Sequence, residues 1–109
     1  MENTPNIDSN AADHVHSSGE ILINKLPENT VVLVETEDAI YELTVLVPSQ
    51  NVVGVNTNDR RFLEIPNVTI NTPIAWGDCM RMVTNESVLF SRKANGATVR
   101  GKGFNYDVF

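Results

Sequence analysis

The chain is expected to fold as one small all-β unit built on an antiparallel meander, and three features of its sequence say so. Residues 30–56, TVVLVETEDAIYELTVLVPSQNVVGVN, hold three successive runs rich in Val, Ile, Tyr and Thr, with only short polar breaks between them. Period-two alternation in β-branched and aromatic residues marks half-buried strands, and such short breaks leave room only for an antiparallel meander. Later in the chain, Asn95-Gly96 is the strongest single turn signal, because Asn and Gly best tolerate the positive φ that a tight hairpin requires. Nowhere does an apolar period sustain a helix of ten residues.

The elements follow in order. Residues 1–19 are rich in Asn and Ser and carry almost no large apolar side chain. Such a segment cannot bury enough surface to offset its ordering entropy, so it reads as a disordered polar tail, leaving residues 20–109 as a single barrel domain. Ile21-Leu22-Ile23 opens the fold as a short strand or one helical turn, and Leu26-Pro27 ends it. The meander strands span 30–36, 39–47 and 51–56, with Tyr41, Leu43, Val45 and Val47 on one face and Glu42 and Thr44 on the other. Residues 60–65 read as a fourth strand. Pro66 and Pro73 make 66–77 an extra edge segment or excursion, since proline cannot donate to a central ladder. Gly77-Asp78 turns the chain into 79–84, where Met80 and Met82 alternate with Arg81. Asn85-Glu86 turns it again into 87–93, where Val88 and Phe90 are the inward candidates. The Asn95-Gly96 turn then leads into 98–101, and 105–109 closes the chain as an edge strand.

Composition narrows the function. The net charge of −6 is uneven: residues 1–59 hold ten acids and one base, Lys25, while residues 60–109 hold seven bases and four acids. The first part therefore carries −9 and the second +3. An acidic total argues against general charge-driven nucleic-acid binding, whereas opposite signs in the two parts suit head-to-tail contacts between copies. About 90 ordered residues make a small core, for which self-association is a common remedy. The one cysteine, Cys79, excludes an internal disulfide. No run approaches the ~18 apolar residues of a membrane span, and the first residues lack a basic and apolar leader. The expected setting is the cytoplasm, of a cell or of a virus-infected host, with no membrane partner.

The valine-rich meander at 30–56 and the much later Val99-Arg100-Gly101 together resemble the two-part signature of Sm-like proteins. The first matches that family's first motif in strand count and spacing, the second its apolar-Arg-Gly motif. The chain departs from the family where the glycines of the first hairpin fall on Ala39 and near Leu43, and where Val47 or Pro48 replaces an aspartate. The resemblance implies a small, strongly bent antiparallel barrel of Sm-like or SH3-like type, assembly into rings of six or seven subunits, and single-stranded RNA as the ligand. By the same resemblance, Asn51 corresponds to the family's RNA-contacting Asn.

The basic stretch around that motif is the main candidate site. Arg92, Lys93, Arg100 and Lys102 lie in 87–105 without an acid among them, set opposite one another across the Asn95-Gly96 turn, and Gly101 and Gly103 leave room for a ligand at the backbone. The bland alternative is that these bases keep a surface hairpin soluble and blunt a sheet edge. Glu35, Glu37 and Asp38 match no cation-loop spacing and read as a solvated turn, and His14 and His16 in the tail lack further ligands. With both histidines there, neither Cys79 nor any serine has an ordered imidazole partner, so no catalytic residue, metal or cofactor is expected. Met80, Met82 and Trp76 read as core or interface. The expected role is that of a non-enzymatic structural or assembly module that forms homo-oligomers. The alternative is an Sm-like ring subunit that binds RNA.

Overall fold

The computed structural model describes residues 19–84 and 88–109, with 90–92 described by backbone alone. Residues 1–18 of the expected tail and the Asn85-Glu86 turn lie outside the described residues. Nine strands follow in order: β1 (Glu20–Ile21), β2 (Val31–Thr36), β3 (Ile40–Val47), β4 (Val52–Thr57), β5 (Asn67–Thr69), β6 (Ile74–Ala75), β7 (Cys79–Val83), β8 (Val88–Gly101) and β9 (Phe104–Asp107). One antiparallel sheet runs β2-β3-β4-β5-β7-β8-β9, and β2 also pairs with β8, so six of its strands curl into a ring. The seam between β5 and β7 is held by the single pair Thr69–Val83, which leaves the closure partial. β1 and β6 form a separate two-stranded sheet. The protein is thus the expected small, strongly bent antiparallel barrel, with the meander as three of its strands.

The meander forms as its alternation requires. Val32, Val34, Tyr41, Leu43, Val45 and Val53 all point inward and are buried. Glu37-Asp38 makes the first turn, closed by the Thr36 N–H donating to the Ala39 carbonyl at 2.9 Å. The second connection is a 3₁₀ turn, Pro48–Gln50, capped by Asn51 at φ 59°, a left-handed conformation that Asn tolerates better than most residues. Val47 departs from the expected inward face. The β3–β4 register slips between Val45 and Val47, and a slip of one residue turns the following side chain outward. Val47 is accordingly exposed. The opening segment is both alternatives at once, a strand at β1 and a 3₁₀ turn at Ile23–Lys25, with Ile21 and Ile23 buried.

Four further expectations are corrected. Residues 60–65 are not a strand: Arg60–Phe62 is a 3₁₀ turn whose N-cap, Asp59, accepts a hydrogen bond from the Arg61 N–H. Residues 66–77 are not one edge excursion, because β5 sits inside the sheet between β4 and β7 while β6 leaves it to pair with β1. Pro66 is compatible with this because it precedes the strand and needs no N–H there. Asn95-Gly96 is not a hairpin turn: β8 runs through it for 14 residues. The register steps from Glu35–Gly96 to Thr36–Ala94, leaving Asn95 as the extra residue of a β-bulge. Chain-breaking residues here bend a long strand as it passes from β7 to β2. A second slip, opposite Met80, shifts the phase of the strand's first part, so Leu89 packs against the core while Val88 is exposed. The Phe90 side chain is not described.

The hairpin turn that follows β8 lies seven residues further on. Gly101 pairs with Phe104 across Lys102-Gly103, and Gly103 takes φ +88°, the positive value that a type II turn demands at its third position.

Candidate functional site

Where β4 ends, the chain does not turn straight back but bulges out through residues 58–66. This detour encloses an open groove of about 750 Å³ between the end of β4 and the returning chain, whose lining includes the apolar Val55, Phe62, Leu63 and Ile65 and the polar Asn58, Arg60 and Glu64. Leu63 is 77% exposed on the detour.

One cluster, anchored in the core by Tyr41 and open to solvent at Arg61, holds the detour in place. Tyr41 comes from the inward face of β3, and its hydroxyl donates to Asp59 Oδ2. The Arg61 Nη2 donates to the same oxygen at 2.6 Å, its Nε lies 3.1 Å from both carboxylate oxygens, and its backbone N–H donates to Oδ1 at 3.0 Å. Asp59 is itself oriented from behind, its N–H donating to Thr57 Oγ1 at 3.1 Å while that hydroxyl donates to the Ile40 carbonyl at 2.6 Å. Phe62 meets the Tyr41 ring edge-on with centroids 5.6 Å apart, and the Arg61 guanidinium lies 5.9 Å from the Phe62 centroid.

The electrostatics follow from these contacts. The Arg61 hydrogen bonds hold the Asp59 carboxyl down to about 2 against the opposing effect of burial. Burial, aided by the neighbouring carboxylate, pushes the Tyr41 phenol up to about 12. The Asp59 hydrogen bonds raise Arg61 above its ordinary value. At neutral pH the phenol is therefore neutral, and the carboxylate is fully engaged by donors. This arrangement is a clamp fixing the groove wall, and it holds no poised base.

A depressed carboxyl pKa stabilises the fold above the ordinary carboxylate range, and that contribution is lost as pH falls through about 2. Between pH 4.5 and pH 2 the wild-type protein should lose about 1 kcal/mol more unfolding free energy than Asp59→Asn does, measured by urea titration, the full shift being discounted because the Arg61 side chain is half exposed and screened. Parallel acid profiles for the two proteins would show that Asp59 is not clamped.

The residues singled out by sequence lie elsewhere, and Lys93 does not converge with the others. Lys93 and Arg100 sit seven residues apart on one strand, roughly 20 Å at strand rise, so the opposed basic hairpin is corrected to a dispersed row. The Arg92 side chain is not described. Arg100 is half exposed and reaches across β2 to β3, where its guanidinium lies 3.8 Å from the Glu42 carboxylate. Glu42 also accepts from Asn56 Nδ2 at 3.2 Å, while Asp107 accepts from Thr98 Oγ1 at 2.9 Å. Lys102 is exposed on the terminal hairpin. Gly101 offers no room for a ligand on its side-chain face, because the Phe104 ring fills that space. Asn51 does lie at the same end of the sheet as Arg100, since Val31 at the start of β2 pairs with both Arg100 and Thr44, and its side chain donates to Asn71 Oδ1 at 3.2 Å.

Sequence reasoning missed the clamp. Its one local signal was an Asp after Thr-Asn with an Arg two residues on, the pattern of a cap that ends a strand. Met80 and Met82 are core, as expected, but Trp76 is 69% exposed. Among the described residues, no group of three or more His, Cys, Asp or Glu side chains is placed to hold a metal ion, and no helix is long and apolar enough to cross a membrane. No protein family, curated protein or solved structure matches this chain.

Proposed function

We propose that this chain is a non-enzymatic barrel serving as a structural or assembly module, and that it forms homo-oligomers through its open sheet edge. The observation that carries the reading is the outer side of β9. Ala97 exchanges hydrogen bonds with Val108 and Phe109, so the odd-numbered residues of β8 face β9 and pair with Phe104 and Tyr106. Asn105 and Asp107 then direct their main-chain groups away from the sheet, where no other strand of the described residues lies. An unpaired strand edge is a template for another chain. The split of −9 and +3 along the sequence favours unlike surfaces meeting, the head-to-tail contact that closes into rings.

Sedimentation at high micromolar concentration should give a closed multiple of the 12.0 kDa chain. Asn105→Pro removes only an outward N–H, so it should return the protein to monomer with its thermal midpoint nearly unchanged. A strictly monomeric wild type removes this reading.

The Sm-like reading keeps one supporting observation, that Arg100, Gly101, Lys102 and Asn51 share one end of the barrel. On that reading single-stranded RNA binds with an affinity that falls as salt rises, and Arg100→Ala costs about 1–3 kcal/mol of binding. The Glu42 contact weighs against it, because it occupies the arginine. A titration with no salt-dependent RNA signal eliminates this second reading and leaves the first intact.

A further inference from the structure

We propose that the groove beside β4 is a strand-addition site, taking an extended peptide segment of a partner protein that carries an acidic side chain. The main chain points to the occupant. Ile40 and Glu42 of β3 face β4, as the Thr57 hydroxyl bond to the Ile40 carbonyl and the Asn58 side-chain bond to the Ile40 N–H show. By ladder alternation, Gly54 and Asn56 face β3, while Val53, Val55 and Thr57 face the other way, toward β5. Pairing on that side extends only as far as the Val55 N–H, which donates to the Pro66 carbonyl at 3.0 Å. Proline has no N–H to return, so the Val55 carbonyl receives no matching bond from it. Beyond this point the detour through residues 58–65 carries the chain away, and the Thr57 N–H and C=O open onto the groove with no partner among the described residues.

An open ladder position inside a groove is what an extended peptide completes, with main-chain bonds giving affinity and alternate side chains giving selectivity. The groove supplies both kinds of side-chain contact. Val55, Ile65 and the exposed Leu63 offer apolar contact. Arg60 is exposed and has no ion pair among the described residues, unlike its neighbour Arg61, which the Asp59 clamp engages. Glu64, which also lines the groove, disfavours a second acid in the same segment, so the chemistry fits one carboxylate flanked by apolar residues.

The test selects binders from a displayed library of random ten-residue peptides and examines them against the full chain. Enriched peptides should place one acid between alternating apolar residues and shift the amide resonances of Val55 and Thr57. Arg60→Glu should weaken them about fivefold to tenfold, through an exposed pair lost and a repulsion gained, while Arg100→Ala leaves them unchanged. No enriched peptide, or peptides that bind the Arg60→Glu protein equally well, would overturn the proposal. Thr57 amide exchange in the protein alone should be independent of protein concentration. Protection that grows with concentration would assign this edge to a second copy instead, and this result is separable from the Asn105→Pro test of the β9 edge.

Discussion

Asp59→Ala is expected to lower the unfolding free energy by about 2–4 kcal/mol, the sum of a lost helix-turn cap and a buried hydroxyl left without its acceptor. For a domain of this size the thermal midpoint should fall by roughly 10–20 °C. The ion pair itself contributes little to this figure, because the Arg61 side chain is 50% exposed and water screens it. Most of the loss comes from Tyr41, which is 1% exposed and donates to Asp59 from the core. Two backgrounds separate these contributions. Tyr41→Phe should cost about 1 kcal/mol in the wild type, yet be neutral or stabilising in Asp59→Ala, where the hydroxyl has become a liability. Equal costs in both backgrounds would mean that Tyr41 and Asp59 are not coupled, and a midpoint within a few degrees of wild type would mean that no clamp exists.

Gly101→Ala should destabilise by about 1–3 kcal/mol, the usual cost of forcing a methyl group into filled space. A β-carbon there would lie 2.5 Å from Phe104 Cζ and 2.6 Å from Cε2, closer than carbon atoms approach. The ring cannot simply swing clear, since Phe104 packs against the core and lies 5.8 Å from the Tyr106 ring. Phe104→Leu should therefore relieve much of the cost when combined with Gly101→Ala, a coupling measurable by a double-mutant cycle. Gly96→Ala is the control. Its β-carbon would meet only the Glu35 side chain, most closely its flexible end at Oε1, 3.3 Å away, and the change should stay within about 0.5 kcal/mol. The outcome also bears on function. A glycine kept so that a ligand can reach the backbone would tolerate alanine in stability and lose RNA binding. A glycine kept for Phe104 does the reverse.

The acidic clamp and the crowded glycine show where sequence reasoning stops. Alternation in Val, Tyr and Leu was enough for β2, β3 and β4, because burial of one strand face depends on side chains two residues apart and nothing more distant. The same patterning found Met80 and Met82, and the chain-terminal edge at β9. Phase errors began at the slips. Val47 and Val88 were placed inward because a regular strand would put them there, and a bulge exists only in relation to a partner strand. Asn95-Gly96 was legible as a place where the backbone departs from regularity. Whether that departure reverses the chain or bends it depends on β2 and β7 being there to pair with both halves of β8.

By itself, the sequence determined the all-β class, the three-strand meander and the polarity of its faces, since these rest on local alternation and turn chemistry. Tertiary structure alone decided the rest. Closure of β8 onto β2 dispersed the basic residues along a strand and brought Glu42 to Arg100, 58 positions away in the chain. Pairing of β3 with β4 set Tyr41 against Asp59, and the Pro66 return left the end of β4 open beside a groove. Each of these is a contact between segments distant in sequence, and such contacts form only once strands pair, so no local pattern records them.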